Sequence, residues 1–130
     1  MQTKVDLHRA RRGPEWVTVN APLDVATPLR AAQPDQAVLL DCATMWLTNV
    51  MLDEMDVETA QAEMMAALSA CPAPVVVVSN EVGQGIVPDN ALARRFREAQ
   101  GRLNIALAAQ ATCVVHVVAG LSQVLKGDHP

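Results

Sequence analysis

Residues 74–88 read Pro-Val-Val-Val-Val-Ser-Asn-Glu-Val-Gly-Gln-Gly-Ile-Val-Pro, and this stretch decides the fold class. Its four consecutive valines form an apolar run without alternation, which is typical of a strand that is covered on both faces in a parallel sheet. Residues 37–41 and residues 112–119 have the same character. We therefore expect three core strands of a parallel sheet.

Helical patterns separate these apolar runs. Residues 43–52, 56–70 and 89–110 carry apolar side chains at spacings of three and four, and a shorter helix is predicted between Pro22 and about Ala32. A short strand is predicted at 16–19. Strands that alternate with helices of this length predict right-handed β-α-β crossovers. The expected class is a three-layer α/β fold with a mostly parallel sheet, in a single domain that spans residues 1–130.

The composition limits the class of partner. The 130 residues carry a formal net charge of -4, with one Phe, two Trp and no Tyr. A nucleic-acid-binding surface normally concentrates Lys and Arg and stacks bases on aromatic side chains. These counts argue against a nucleic-acid partner, whereas a small anionic ligand needs only a few local charges.

The cysteines and the hydropathy of the chain point to a reduced, cytoplasmic protein. Cys42, Cys71 and Cys113 are far apart, while structural zinc sites use closely spaced pairs, so they are interpreted as buried packing residues. No apolar run approaches the roughly 18 residues of a membrane span. The N-terminus has no apolar signal core. We expect no membrane span.

Acidic residues follow two of the apolar runs, at the places where open parallel sheets bind ligands. Asp41 closes the first run, and a carboxylate there is suited to hold magnesium beside nucleotide phosphates. The alternative is that Asp41 caps the next helix. Glu81 follows the second run, in a loop where Gly83 and Gly85 permit close approach of a ligand. An ordinary strand-to-helix turn is the alternative for this loop.

A histidine among arginines is the third candidate for chemistry. His8 lies in the string Leu-His-Arg-Ala-Arg-Arg at residues 7–12. Neutral imidazole can attack phosphorus while guanidinium groups neutralise phosphate charge. A solvated basic tail is the alternative interpretation. Four arginines of the predicted helix 89–110 pose the same choice between an anion site and a solvated face: Arg94, Arg95, Arg97 and Arg102.

In chain order, these segments match the sequence motifs of one protein family. The matching segments are residues 8–16, 40–49, 78–88, 90–97, 101–104 and 117–121. The string Asn-Glu-Val-Gly-x-Gly-Ile-Val-Pro at 80–88 is the most specific of them. The chain resembles the bifunctional adenosylcobinamide kinase / adenosylcobinamide-phosphate guanylyltransferase family.

The resemblance implies a fold of the P-loop NTPase type and two reactions. Family members phosphorylate adenosylcobinamide and then transfer GMP from GTP to that phosphate through a guanylylated histidine. The resemblance makes His8 the nucleophile, Asp41 a nucleotide-binding and magnesium-binding acid, and Glu81 a nucleotide-binding residue. It also implies GTP and ATP as substrates, Mg²⁺ as cofactor, and a homo-oligomer.

The main departure from the family is the lack of a Walker A loop. No Gly-x-x-x-x-Gly-Lys-Ser/Thr string occurs in the 130 residues. We therefore expect an incomplete nucleotide-binding domain, without the first strands and the phosphate-binding loop, that is inactive by itself. The alternative is a non-catalytic remnant that acts as a binding or oligomer-assembly subunit. We also expect an unpaired edge on the strand Val38–Asp41, unless a segment such as 16–19 fills it.

Overall fold

The computed structural model describes residues 4–9, 16–81 and 90–128. In chain order its elements are β1 (Lys4–Arg9), β2 (Trp16–Asn20), α1 (Ala26–Ala31), β3 (Gln36–Asp41), α2 (Ala43–Leu52), α3 (Val57–Ala70), β4 (Val75–Val78), α4 (Ala91–Gln110), β5 (Val114–Val118) and β6 (Leu121–Lys126). The predicted helices and the three strands predicted before residue 80 are confirmed. Neither β1 nor β6 was among the predicted strands.

The main sheet has the strand order β2-β1-β3-β4. β3 and β4 are parallel, as predicted, whereas β1 is antiparallel to both β2 and β3. The described sheet is therefore mixed rather than mostly parallel. Only six residues separate β1 from β2. A parallel crossover needs about a dozen or more, so the two strands pair antiparallel.

β1 lies along the edge of β3 that was expected to be unpaired. Its register runs from Lys4 opposite Asp41 to Arg9 opposite Gln36, so it covers the whole of β3. Residues 16–20 pair with the outer edge of β1 instead. The expectation of an unpaired edge was wrong, because unpaired backbone groups are costly and the first extended segment of the chain satisfies them.

Residues 112–119 were also predicted incorrectly as a third parallel strand. They contain β5, which pairs antiparallel with β6 in a separate two-stranded sheet. Ala119 and Gly120 connect the two strands, with φ values of 52° and 76°. Positive φ at both turn residues matches the twist of a two-residue hairpin and favours an immediate antiparallel return. Val117 is 63% exposed, so this strand is not covered on both faces.

The hydrophobic core joins β3 with all four helices. Its largest fully buried apolar side chains are Trp46, Leu29, Leu40, Leu47, Met64, Leu103, Val38 and Val50. The three cysteines are free, as expected, but they are partly exposed rather than buried, and Cys71 packs against this core. Within the described ranges, the helices are all too short or too polar to cross a membrane.

Candidate active site

The carboxyl ends of the parallel strands β3 and β4 lie at one edge of the sheet. Asp41 ends β3 and is in register with Val78, which ends β4. The chain continues from β4 into Ser79, Asn80 and Glu81. The structure thus places both predicted acids at the same edge, and both are exposed. The rest of the predicted loop, including its two glycines, lies outside the described residues.

Helix α2 begins directly after Asp41, but Asp41 is not its cap. Cys42 occupies the N-cap position, and its Sγ accepts a hydrogen bond from the Met45 amide at 3.4 Å. The capping alternative for Asp41 was wrong. No hydrogen bond within the described ranges uses the carboxylate of Asp41, so it is available to a cation.

A polar network fixes the backbone immediately after β4. The Asn80 amide donates to Thr44 Oγ1 at 2.9 Å, and Asn104 Nδ2 donates to the Asn80 carbonyl at 3.0 Å. Thr44 belongs to α2 and Asn104 to α4. Both peptide groups of Asn80 are therefore held, from two different helices, and the chain leaves toward Glu81 from a defined position.

Gln100 lies beneath this network. Its Nε2 donates to Ser79 Oγ at 3.0 Å and to Asn104 Oδ1 at 2.9 Å, while Ser79 Oγ donates to Asn104 Oδ1 at 2.5 Å. The side chain is fully buried, and its Oε1 has no hydrogen-bond partner among the described residues. An unpaired buried acceptor costs about 1–3 kcal/mol.

Gln100 was not among the residues predicted to form the site, although its position in the sequence carries a signal. Gln100 is four residues after Phe96 and three before Leu103, so it falls on the apolar stripe of α4. A polar residue on such a stripe requires a buried partner. Its partners Ser79 and Asn104 lie within quoted family segments, but their contact depends on tertiary structure.

The Trp-Leu-Thr-Asn segment at 46–49 has a structural use. Trp46 Nε1 donates to the Leu23 carbonyl at 2.9 Å, and Asn49 Nδ2 donates to the Pro22 carbonyl at 3.0 Å. Two side chains of α2 therefore hold the segment that leads into α1. This part of the family resemblance concerns the scaffold behind Asp41 rather than ligand contact.

His8 is located away from Asp41 along the sheet. β1 pairs His8 with Ala37 and Lys4 with Asp41. His8 is four positions after Lys4, which is about 13 Å along a strand at the usual rise per residue. The backbone of His8 therefore lies near the amino end of β3. The structure does not bring His8 and Asp41 together within this chain.

Two of the candidate arginines line a cavity that is separate from the polar network. Arg95 and Arg102 lie on the wall of an open cavity of about 420 Å³, together with Glu54 and Glu98. Acidic and basic side chains balance there, so the lining has no preference for an anion. The solvated-face interpretation suits these two arginines better.

The described residues suit magnesium only as a shared ligand. No group of three or more His, Cys, Asp or Glu side chains that could hold a metal occurs in the part of the chain that the structure describes. Mg²⁺ usually keeps several waters and takes one or two carboxylates together with substrate phosphates. The exposed carboxylate of Asp41 fits that form of binding.

Fold and site together define a class. The chain is a mixed α/β domain with exposed acids at the carboxyl edge of a parallel strand pair, the edge at which such sheets bind ligands. The model of the family described as "Cobinamide kinase / cobinamide phosphate guanyltransferase" (CobU) matches residues 1–125. This chain belongs to that family.

Relatives in three bacteria are similar over almost the whole chain. The bifunctional adenosylcobalamin biosynthesis protein CobP of Pseudomonas aeruginosa is 37% identical over 131 residues, which is 98% of this chain and 76% of that protein. The bifunctional protein CobU of Escherichia coli K12 is 36% identical over 142 residues, covering 97% of this chain and 78% of that protein. CobU of Salmonella typhimurium is 37% identical with the same coverage. The family resemblance is confirmed.

Proposed function

We propose that the protein acts in cobalamin biosynthesis, by phosphorylating adenosylcobinamide and by transferring GMP from GTP to adenosylcobinamide phosphate. The observation that carries the proposal is the shared position of Asp41 and Glu81 at the carboxyl edge of the β3–β4 pair. Membership of the family supplies the two reactions. The fixed peptide of Asn80 supports the edge as a binding site, because it requires little reorganisation when a ligand binds.

Asp41 and Glu81 have separate roles in this proposal. Asp41 would hold Mg²⁺ together with nucleotide phosphates and water, and a bound ion would supply positive charge that offsets the charge on the phosphates. Glu81 lies at the start of the loop that would line the nucleotide site. Because both carboxylates are exposed, each is accessible to a ligand without a change in the core.

His8 is the proposed nucleophile of the guanylyl transfer. A neutral imidazole nitrogen attacks the α-phosphorus of GTP, the bond from that phosphorus to the bridging oxygen breaks, and pyrophosphate leaves. A phosphate oxygen of adenosylcobinamide phosphate then attacks the same phosphorus, and the nitrogen–phosphorus bond breaks. The products are adenosylcobinamide-GDP and a regenerated histidine. Covalent catalysis of this type divides one difficult transfer into two easier steps.

The separation between His8 and Asp41 constrains this mechanism. About 13 Å of strand lies between their backbones. A nucleotide that contacts Asp41 must therefore extend along the sheet before its α-phosphorus reaches His8. This arrangement gives the two residues distinct tasks.

The test is covalent labelling with GTP that carries a labelled α-phosphate. It is run on the chain by itself and on the chain joined behind a Gly-Lys-Ser phosphate-binding segment, because the 130 residues contain none. We expect a weak label on the former and, on the latter, a label that is stable in base and labile in acid. His8→Ala should abolish the label. His116→Ala, which changes a histidine of β5, is the matched control and should keep it.

Two results would contradict the proposal in different ways. If His8→Ala labels as strongly as the parent protein, the assignment of the nucleophile is wrong. If neither protein acquires label and neither phosphorylates adenosylcobinamide, the chain fits the alternative of a binding or assembly subunit.

A further inference from the structure

We propose that Gln100 is a positioning residue for Asn80 and Glu81, which follow β4 at the proposed nucleotide site. It acts through Ser79 and Asn104 on the peptide of Asn80. The inference rests on the proposed nucleotide site at the carboxyl edge of β3 and β4. It concerns a residue that contacts neither substrate nor metal. Its effect is on where the chain leaves β4 and therefore on where Glu81 lies.

The hydrogen bonds form a continuous path from Gln100 to that peptide. Gln100 Nε2 donates to Asn104 Oδ1 at 2.9 Å, and the Nδ2 of the same Asn104 amide donates to the Asn80 carbonyl at 3.0 Å. With its oxygen held by Gln100 and Ser79, the planar amide of Asn104 presents its nitrogen to Asn80. Thr44 Oγ1 holds the other side of the Asn80 residue.

The burial of Gln100 makes a purely stabilising role a poor explanation. The side chain is 0% exposed and lies on the apolar stripe of α4, between Phe96 and Leu103. Its Oε1 finds no partner in the described ranges. An apolar residue of similar length would fill this place without an unpaired acceptor. The amide nitrogen, with two acceptors, is the part of the side chain that serves a purpose here.

A single variant can distinguish an effect on the position of Asn80 from an effect on the stability of the fold. Gln100→Met keeps the length of the side chain, removes the unpaired acceptor and removes both donated hydrogen bonds. We expect a melting temperature within a few degrees of the parent protein, because the two effects oppose each other. We also expect the Asn80 amide to exchange with solvent about tenfold faster, while core amides such as that of Leu47 are unchanged.

Activity gives the second measurement. In the GTP-labelling assay, Gln100→Met should raise the GTP concentration for half-maximal labelling about tenfold and change the maximal rate little. This split follows because a displaced Asn80–Glu81 segment weakens nucleotide binding but leaves His8 intact. Gln110→Met is the matched control, since it makes the same substitution at an exposed site on the same helix, where the amide donates to the Met65 carbonyl. It should change neither Asn80 exchange nor labelling.

The exchange measurement keeps the inference independent of the proposed function. Faster exchange confined to Asn80 supports positioning, even if neither protein reacts with GTP, and in that case only the proposed function fails. Unchanged exchange at Asn80 overturns the inference. Exchange that rises equally at Asn80 and Leu47 also overturns it, because Gln100 would then act on global stability alone.

Discussion

The substitution Trp46→Phe should lower the free energy of unfolding more than the same substitution at the exposed Trp16. Trp46 is 1% exposed in α2, and its indole N–H donates to the Leu23 carbonyl at 2.9 Å. The change removes buried ring atoms equivalent to about two methylene groups, which is about 1.6 kcal/mol at the usual transfer value. It also removes one of the two hydrogen bonds that the Leu23 carbonyl accepts, at a net cost of about 0.5–1.5 kcal/mol, because the Val25 amide still donates to that oxygen at 3.2 Å. We expect a total loss of about 2–3 kcal/mol.

That loss has a measurable size in thermal unfolding. For 130 residues the entropy of unfolding is about 0.27 kcal/mol/K, so the melting temperature should fall by about 7–11 °C. The assay is thermal unfolding followed by circular dichroism. Trp16→Phe is the control, because Trp16 is 50% exposed, and it should cost less than about 1 kcal/mol. A Trp46→Phe melting temperature within about 3 °C of the parent would refute the role given to this hydrogen bond and its burial.

Two further predictions concern the start of α1 and the end of the hairpin. Asp24 accepts hydrogen bonds from the hydroxyl and the amide of Thr27, and both lower the pKa of its carboxyl group from the ordinary 3.8. The carboxylate therefore stabilises the folded protein above pH 3.8, and this stabilisation is lost as the pH falls through the lowered pKa. Asp24→Ala should therefore cost about 0.5–1 kcal/mol at pH 7, and denaturant titrations should show the difference narrowing in acid; an equal cost at all pH values would contradict this. Gly127 has a φ of 74°, and an added Cβ would collide with the Thr112 carbonyl oxygen, whereas Gly120, at 76°, has open space around that position. Gly127→Ala should lower the melting temperature clearly more than Gly120→Ala, which costs only about 1 kcal/mol of backbone strain, and equal shifts would show that the collision is relieved without cost.

The helices were predictable because their signals are local. The spacing of apolar residues predicted α2 at residues 43–52, the same bounds that the structure has. Asn90 caps α4 by accepting a hydrogen bond from the Ala93 amide, and Asn is one of the residue types that favour this position. Caps and helical periodicity depend on residues within a few positions of one another, so tertiary contacts do little to override them.

The errors in the sheet have the opposite cause. The apolar run at 112–119 has the composition of a buried parallel strand, but the two-residue turn at Ala119–Gly120 returns the chain at once. Residues 4–9 alternate polar and apolar side chains over Lys4–His8, but only the open edge of β3 determines where this strand, β1, pairs. Pairing of this kind is decided by which edges the rest of the chain leaves open, and that information is not local.

The candidate site divides in the same way between exposed acids and the buried groups that hold them. The position of Asp41 and Glu81 at the carboxyl edge of the sheet was predictable, because a carboxylate after an apolar strand is a local pattern. The roles of the neighbouring residues were not predictable from local patterns. Cys42 rather than Asp41 caps α2, and Gln100 donates a hydrogen bond to Asn104 from within the apolar stripe of α4. Because Cys42 provides the cap, the carboxylate of Asp41 is not used for it. Because Gln100 holds the side chain of Asn104, the peptide of Asn80 is fixed without a ligand. The acidic residues of the candidate site can therefore be recognised from the sequence. The buried polar residue that fixes its backbone cannot, because Gln100 lies at a position where the helical pattern predicts an apolar residue.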